Sequence, residues 1–201
     1  MEELEKLFGS VAKVKIMKLF LFHMEKVFDI EEIRRRAQVT VKSARKEINL
    51  LKRIGFLKQR VVYKERSGRA SGKKRVPGWT VNPDFPYLAP LQAMLVYKNS
   101  LRHKDVIRKL NGIGNLKLVI ISGIFIQNWE SRVDIMIVGD NIKNNSLYNV
   151  IKGMEAEIGR AVRYSVLSTD EFQYRMTMCD KLVRDVLDYP HEKIVNKIEI
   201  E

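Results

Sequence analysis

The chain has 201 residues, 45% hydrophobic and 30% charged, enough for one large domain or two small ones. One cysteine excludes an internal disulfide, and three scattered histidines are too few for a zinc site. The longest apolar run, 116–126, contains Lys117 and is far too short to span a bilayer, and MEELEKLFGS carries no signal-peptide pattern. A cytoplasmic protein without membrane contact or cofactor is expected. The net charge of +13 is unevenly distributed. Residues 1–98 hold 22 Lys and Arg against 10 Asp and Glu, whereas residues 99–201 hold 15 against 14. Within 34–75 the ratio is 16 to 2, the acids being Glu47 and Glu65. Such concentration points to a polyanion-binding half.

In chain order, Ser10 is placed to cap a helix over 11–24, where Val14, Met17, Leu21 and Met24 recur at three- and four-residue spacing. The string LFGS at 7–10 also occurs in nucleotidyltransferases, but a helix follows it here and no Asp-x-Asp strand, so capping is the better reading. Asp29, with Glu32 three residues on, forms a capping box for a short helix over 30–37. A turn through Gln38-Val39-Thr40 leads to a third helix over 41–54, capped by Thr40 and stopped by Gly55. Ala44, Ile48 and Leu51 share its inner face, while Lys42, Ser43, Arg45, Lys46, Asn49 and Arg53 lie away from it. Two helices joined by a short turn, the second with a basic outer face, read as a helix-turn-helix.

After Gly55 the period shortens to two. A strand over 57–63, a basic glycine-rich tip KERSGRASGKKR and a return strand over 76–81 make a hairpin, with Pro77 suggesting an edge or strained position. Residues 7–82 thereby resemble the winged helix-turn-helix domain of prokaryotic transcription regulators. That resemblance implies double-stranded DNA as partner. The third helix would read the major groove through Lys42, Ser43, Arg45, Lys46, Asn49 and Arg53. The wing would grip phosphate or the minor groove through Arg66, Arg69, Lys73, Lys74 and Arg75, with Gly68 and Gly72 letting its tip bend.

NPDFPYLAP at 82–90 marks a boundary, and residues 83–111 are expected as linker and helices. The stripe Leu88, Leu91, Met94 and Leu95 needs cover, from the second domain or from a dimer partner. A homodimer is expected, since a lone winged helix gives modest affinity. A helix over 102–110 follows, then strands over 116–121 and 132–138, a helix over 145–158, a strand over 161–167, a helix over 170–176 capped by Thr169, and a last helix over 181–187.

The expected fold class is thus α+β and α/β in two domains, the second spanning 112–201. The landmarks ISG at 121–123, RVDIMIVG at 132–139, YSVLSTDEF at 164–172 and LVRDVL at 182–187 make residues 116–188 similar to the minimal nucleotidyltransferase fold. They look like the subset fused behind winged helices in archaea and bacteria. In working members a Gly-Ser turn binds phosphates, and Asp-x-Asp on the second strand, with a third-strand carboxylate, holds divalent ions. Here the turn is Ser122-Gly123, Arg132 stands for the first aspartate, Asp134 for the second, and the third strand Arg163-Tyr164-Ser165-Val166 has no carboxylate. The resemblance therefore implies a vestigial site at Ser122, Gly123, Arg132 and Asp134, with no metal and no catalytic residue. Asp134 is expected to pair with Arg132 or Arg163, or to accept backbone hydrogen bonds. The expectation is a transcription regulator with a sensing, dimerising or partner-binding second domain. The alternatives are an active nucleotidyltransferase or toxin–antitoxin component acting on RNA or protein, and an RNA-binding adaptor, for which Tyr63 and Trp79 are the available aromatics.

Overall fold

The structure, a computed structural model, describes residues 2–65, 73–97 and 103–198. It is a mixed α+β protein with two sheets. Its contacts separate two compact units, residues 1–99 with 155–160, and residues 100–154 with 161–201. No described helix is long and apolar enough to cross a membrane.

The first unit is assembled from locally encoded pieces. Helix α1 (Glu2–Phe8), which the sequence reading did not anticipate, precedes α2 (Val11–Phe22). Ser10 caps α2 by accepting the Lys13 N–H at 3.2 Å. The helix stops at Phe22, two residues short of expectation, because the His23 N–H turns back to the Phe20 carbonyl. Strand β1 (Phe28–Asp29) runs into α3 (Ile30–Ala37), and the capping box is formed. Asp29 Oδ1 accepts Glu31 and Glu32 N–H at 2.8 and 3.0 Å, and Glu32 accepts the Asp29 N–H. Gln38 takes a left-handed conformation (φ 50°) in the turn to α4 (Val41–Arg53), which Thr40 caps. Gly55 ends α4 at φ +82°, a region glycine enters without steric cost.

Strands β2 (Leu57–Glu65) and β3 (Lys73–Val81) form the hairpin, and β1 joins β3 to give the antiparallel order β1-β3-β2. Pro77 is therefore on the central strand rather than an edge. Its missing donor is tolerated because β1 pairs only with Gly78 and Trp79, leaving Val61 as the sole neighbour of Pro77. Helix α5 (Leu88–Gln92) continues as a π-helical turn, Ala93–Tyr97. Leu95 and Val96 are buried in the core of the first unit, and Leu88, Leu91 and Met94 pack against it. Of the stripe, Leu95 is thus buried within its own unit, while Leu88, Leu91 and Met94 are covered there only in part.

The second unit begins with α6 (His103–Leu110). Its sheet contains β4 (Asn115–Ile121), β5 (Ile135–Asp140), β6 (Tyr164–Leu167) and β7 (Glu192–Asn196), in the order β6-β5-β4-β7. Only β5 and β6 are parallel. The remaining helices are α7 (Asn144–Ile158), whose last turn from Glu155 belongs to the first unit, α8 (Thr169–Thr177) and α9 (Lys181–Asp188). The continuous apolar runs of β4 and β5 are buried, as strands covered on both faces require. Strand β7 was not anticipated. The cap of α8 is Ser168, one residue before the expected Thr169, because Thr169 donates its N–H and hydroxyl to the Asp140 carboxylate at 3.1 and 2.8 Å. Those bonds hold the Asp140 carboxyl below its ordinary pKa.

Candidate nucleic-acid interface and the Asp134 centre

The two faces of α4 are sharply divided. Ala44, Glu47, Ile48 and Leu51 are buried, while Lys42, Arg45, Lys46, Asn49 and Arg53 are exposed. Ser43 is half-buried and engaged in the cap: its N–H donates to Thr40 Oγ1 at 3.2 Å, and the Thr40 hydroxyl donates to its Oγ at 3.0 Å. On the hairpin Lys73, Lys74 and Arg75 are exposed. Arg66, Arg69, Gly68 and Gly72 lie outside the described residues. Arg35 and Arg60 are also exposed and were not singled out from the sequence. Lys64 is half-buried and pairs with the buried Asp29 carboxylate. Burial pushes the Asp29 carboxyl up, but Lys64 and the Glu31 and Glu32 N–H groups outweigh it and hold the carboxyl below its ordinary pKa.

Glu47 explains how α4 keeps an entirely cationic outer face. Its carboxylate is buried: Ser10 Oγ donates to Oε1 at 2.8 Å, and Lys13 Nζ lies 3.8 Å from Oε2. Ser10 thus caps α2 and anchors α4 with one hydroxyl. Sequence reasoning missed this pair, although Glu47 falls at helical spacing with Ala44, Ile48 and Leu51. A second inward charge is Lys18 in α2, only 1% exposed, whose Nζ donates to the Glu157 carbonyl at 3.1 Å within the same unit. Burial lowers its pKa from 10.5 to about 8, with Glu157 and Glu5 partly opposing.

In the second unit, Ser122, Gly123 and Asp134 come together at the ends of β4 and β5. The Ser122 N–H donates to the Asp134 carbonyl at 2.8 Å, and the Ser122 hydroxyl to the Val133 carbonyl. The Asp134 side chain is wholly buried. Its Oδ1 accepts the Ile124 N–H at 3.1 Å and Arg163 Nη2 at 2.9 Å. Its Oδ2 accepts the Arg163 N–H at 2.8 Å and Arg163 Nε at 3.0 Å. This two-pronged guanidinium contact makes the Arg163 charge harder to remove, against a smaller effect of burial. Gly123, at φ +55°, is required: a Cβ there would lie 2.0 Å from Asp134 Oδ1. Of the partners left open by the sequence, Arg163 and backbone N–H groups are the ones used.

Arg132 is not part of this centre. The strand expected from 132 begins at Ile135, so Arg132 and Asp134 do not share a strand face. Arg132 Nη1 instead lies 3.2 Å from Asp185 Oδ2 on α9. Both line a cleft of about 320 Å³ with Asn128, Ser131, Lys181 and Tyr189. Among the described residues no three His, Cys, Asp or Glu side chains are grouped so as to hold a metal ion. No protein-family model, curated protein or solved structure matches this chain.

Proposed function

We propose that this protein is a transcription regulator that binds double-stranded DNA. In this reading the first unit is a winged helix-turn-helix, α4 enters the major groove, and the β2–β3 hairpin is the wing. The single observation that carries it is the segregation on α4. Lys42, Arg45, Lys46, Asn49 and Arg53 face solvent, whereas its one acid, Glu47, is drawn inside by Ser10. Arg and Asn side chains are the natural readers of guanine and adenine edges in a groove about 12 Å wide. The homodimer remains part of the proposal, on affinity grounds and on the partly exposed Leu88, Leu91 and Met94.

The second unit, in the same reading, keeps a nucleotidyltransferase-like frame without transferring nucleotides. The support is positive: both oxygens of Asp134 are already engaged by Arg163 and backbone donors. Selection of bound duplexes from random DNA, followed by fluorescence anisotropy, tests the DNA reading. A recurrent motif, bound at least a hundredfold tighter than random duplex, is the expected result. A two-fold motif with half-sites about 34–36 Å apart, or a multiple, would accompany a dimer. Failure to enrich any duplex would overturn the assignment. Radiolabel transfer from a nucleoside triphosphate that vanishes in Asp134→Ala would overturn the reading of the second unit.

A further inference from the structure

Cross-strand partners lie on one face of a hairpin, so the register fixes what each face presents. One face of β2 and β3 carries the pairs Gln59 with Trp79, Val61 with Pro77, and Tyr63 with Arg75. At its base this face is closed, since Trp79 packs against the core. Further out it is open: Tyr63 is 62% exposed and Val61 48% exposed. Arg75 stands exposed opposite Tyr63, and beyond it the face ends in the exposed pair Glu65 and Lys73. The face also adjoins α4, because Lys52 Nζ donates to Gln59 Oε1 at 2.9 Å. At about 3.3 Å per residue, Tyr63 lies roughly 13 Å along the strand from that contact. That distance is of the same order as the width of the major groove.

We infer that Tyr63, with Val61 and Pro77, packs against the deoxyribose edge of duplex DNA and supplies affinity that salt does not weaken. The inference rests on the DNA-binding reading above. The occupant follows from two features. Arg75 beside the ring and the basic face of α4 select a polyanion, and the strip offers area for a sugar rather than a charge. A platform for unpaired bases needs successive rings, and Tyr63 is the only exposed aromatic of the hairpin strands, the tip RSGRASG containing none.

Anisotropy titrations against salt, on preferred duplex, random duplex and a single strand, test the inference with Tyr63→Ala, Tyr63→Phe and Arg75→Ala. Tyr63→Ala is expected to weaken both duplexes about tenfold without changing the slope of log affinity against log salt. Tyr63→Phe should bind like the parent. Arg75→Ala, at the position opposite Tyr63, should reduce the slope by about 0.9. Because Tyr63 is exposed, its variants should melt with the parent. Tyr63→Ala binding like the parent, or lowering the salt slope, would overturn the inference while leaving the DNA reading intact. A larger loss on the single strand would also overturn it, in favour of an unpaired-base contact. A parent protein that binds no duplex would sink both readings together.

Discussion

The outer surface of α4 and the hairpin, and the Asp134 centre, use charge in opposite ways. On the first, Lys42, Arg45, Lys46, Arg53, Lys74 and Arg75 stand in solvent, and the one exposed acid of the hairpin strands, Glu65, lies opposite Lys73. At the second, a fully buried carboxylate meets one guanidinium and two backbone donors, and nothing of the acid remains for a ligand. The difference teaches that net charge alone does not mark a binding surface. A charge that finds its counterpart in the same chain sets stability, and one that does not is available to another molecule.

The largest effect is expected from breaking the inward pair. Arg163→Ala leaves the buried Asp134 carboxylate without its cation and should destabilise the second unit by about 3 kcal/mol, read from urea unfolding. Arg163→Lys should recover only part, since an ammonium cannot make the two-pronged contact. Duplex affinity of the folded fraction should not change; a parallel loss of affinity would dissolve the distinction between the two regions.

Changes on the outward surface should do the reverse. Arg45→Ala or Asn49→Ala should cost roughly 1–3 kcal/mol of affinity on the preferred duplex, much less on random duplex, and leave the melting transition within about 0.5 kcal/mol of the parent. Equal losses on both duplexes would make α4 a generic basic face rather than a reader.

Lys18 sharpens the comparison, being an inward cation within the basic unit. Its folded pKa of about 8 lies below the ordinary 10.5, so between these values the unfolded chain binds more protons. Stability of the first unit should therefore rise with pH through that window, by roughly 1 kcal/mol between pH 7 and 9. Lys18→Met should flatten the profile; an unchanged slope would show that another group carries it.

The smallest effect joins the two kinds of charge. Ser10→Ala removes a helix cap and the hydroxyl that holds Glu47, and should cost about 1 kcal/mol in unfolding, with Ser10→Thr restoring most of it. If Ser10 also orients α4, the specific-to-random affinity ratio should drop slightly and return with Thr. A drop in stability without any change in that ratio would assign Ser10 to the fold alone.

What could be read in advance was what the chain encodes locally. Ser10, the Asp29–Glu32 box, Thr40 and Gly55 act within four residues, and the ends of α2, α3 and α4 fell within two residues of expectation. What could not be read depends on residues far apart. Arg132 points away from Asp134 because Asp185 attracts it from α9. Strand β7 exists because β4 offers a free edge across more than seventy residues of sequence. The choice of Arg163 over Arg132 is made by the β5–β6 pairing, which presents the Arg163 N–H and guanidinium to one carboxylate. The dividing line is contact range, and the candidate DNA surface lies on its local side.

Gly123 carries a consequence for how this chain changes over generations. A side chain at 123 collides with Asp134, and an apolar replacement of Asp134 removes the acceptor used by both the Arg163 guanidinium and its N–H. A Gly-Ser order in the turn is thus unreachable by single tolerated steps while Asp134 stays where it is. The three positions form an epistatic ratchet: among descendants of this sequence they should be kept together or replaced together, and intermediate combinations should be rare.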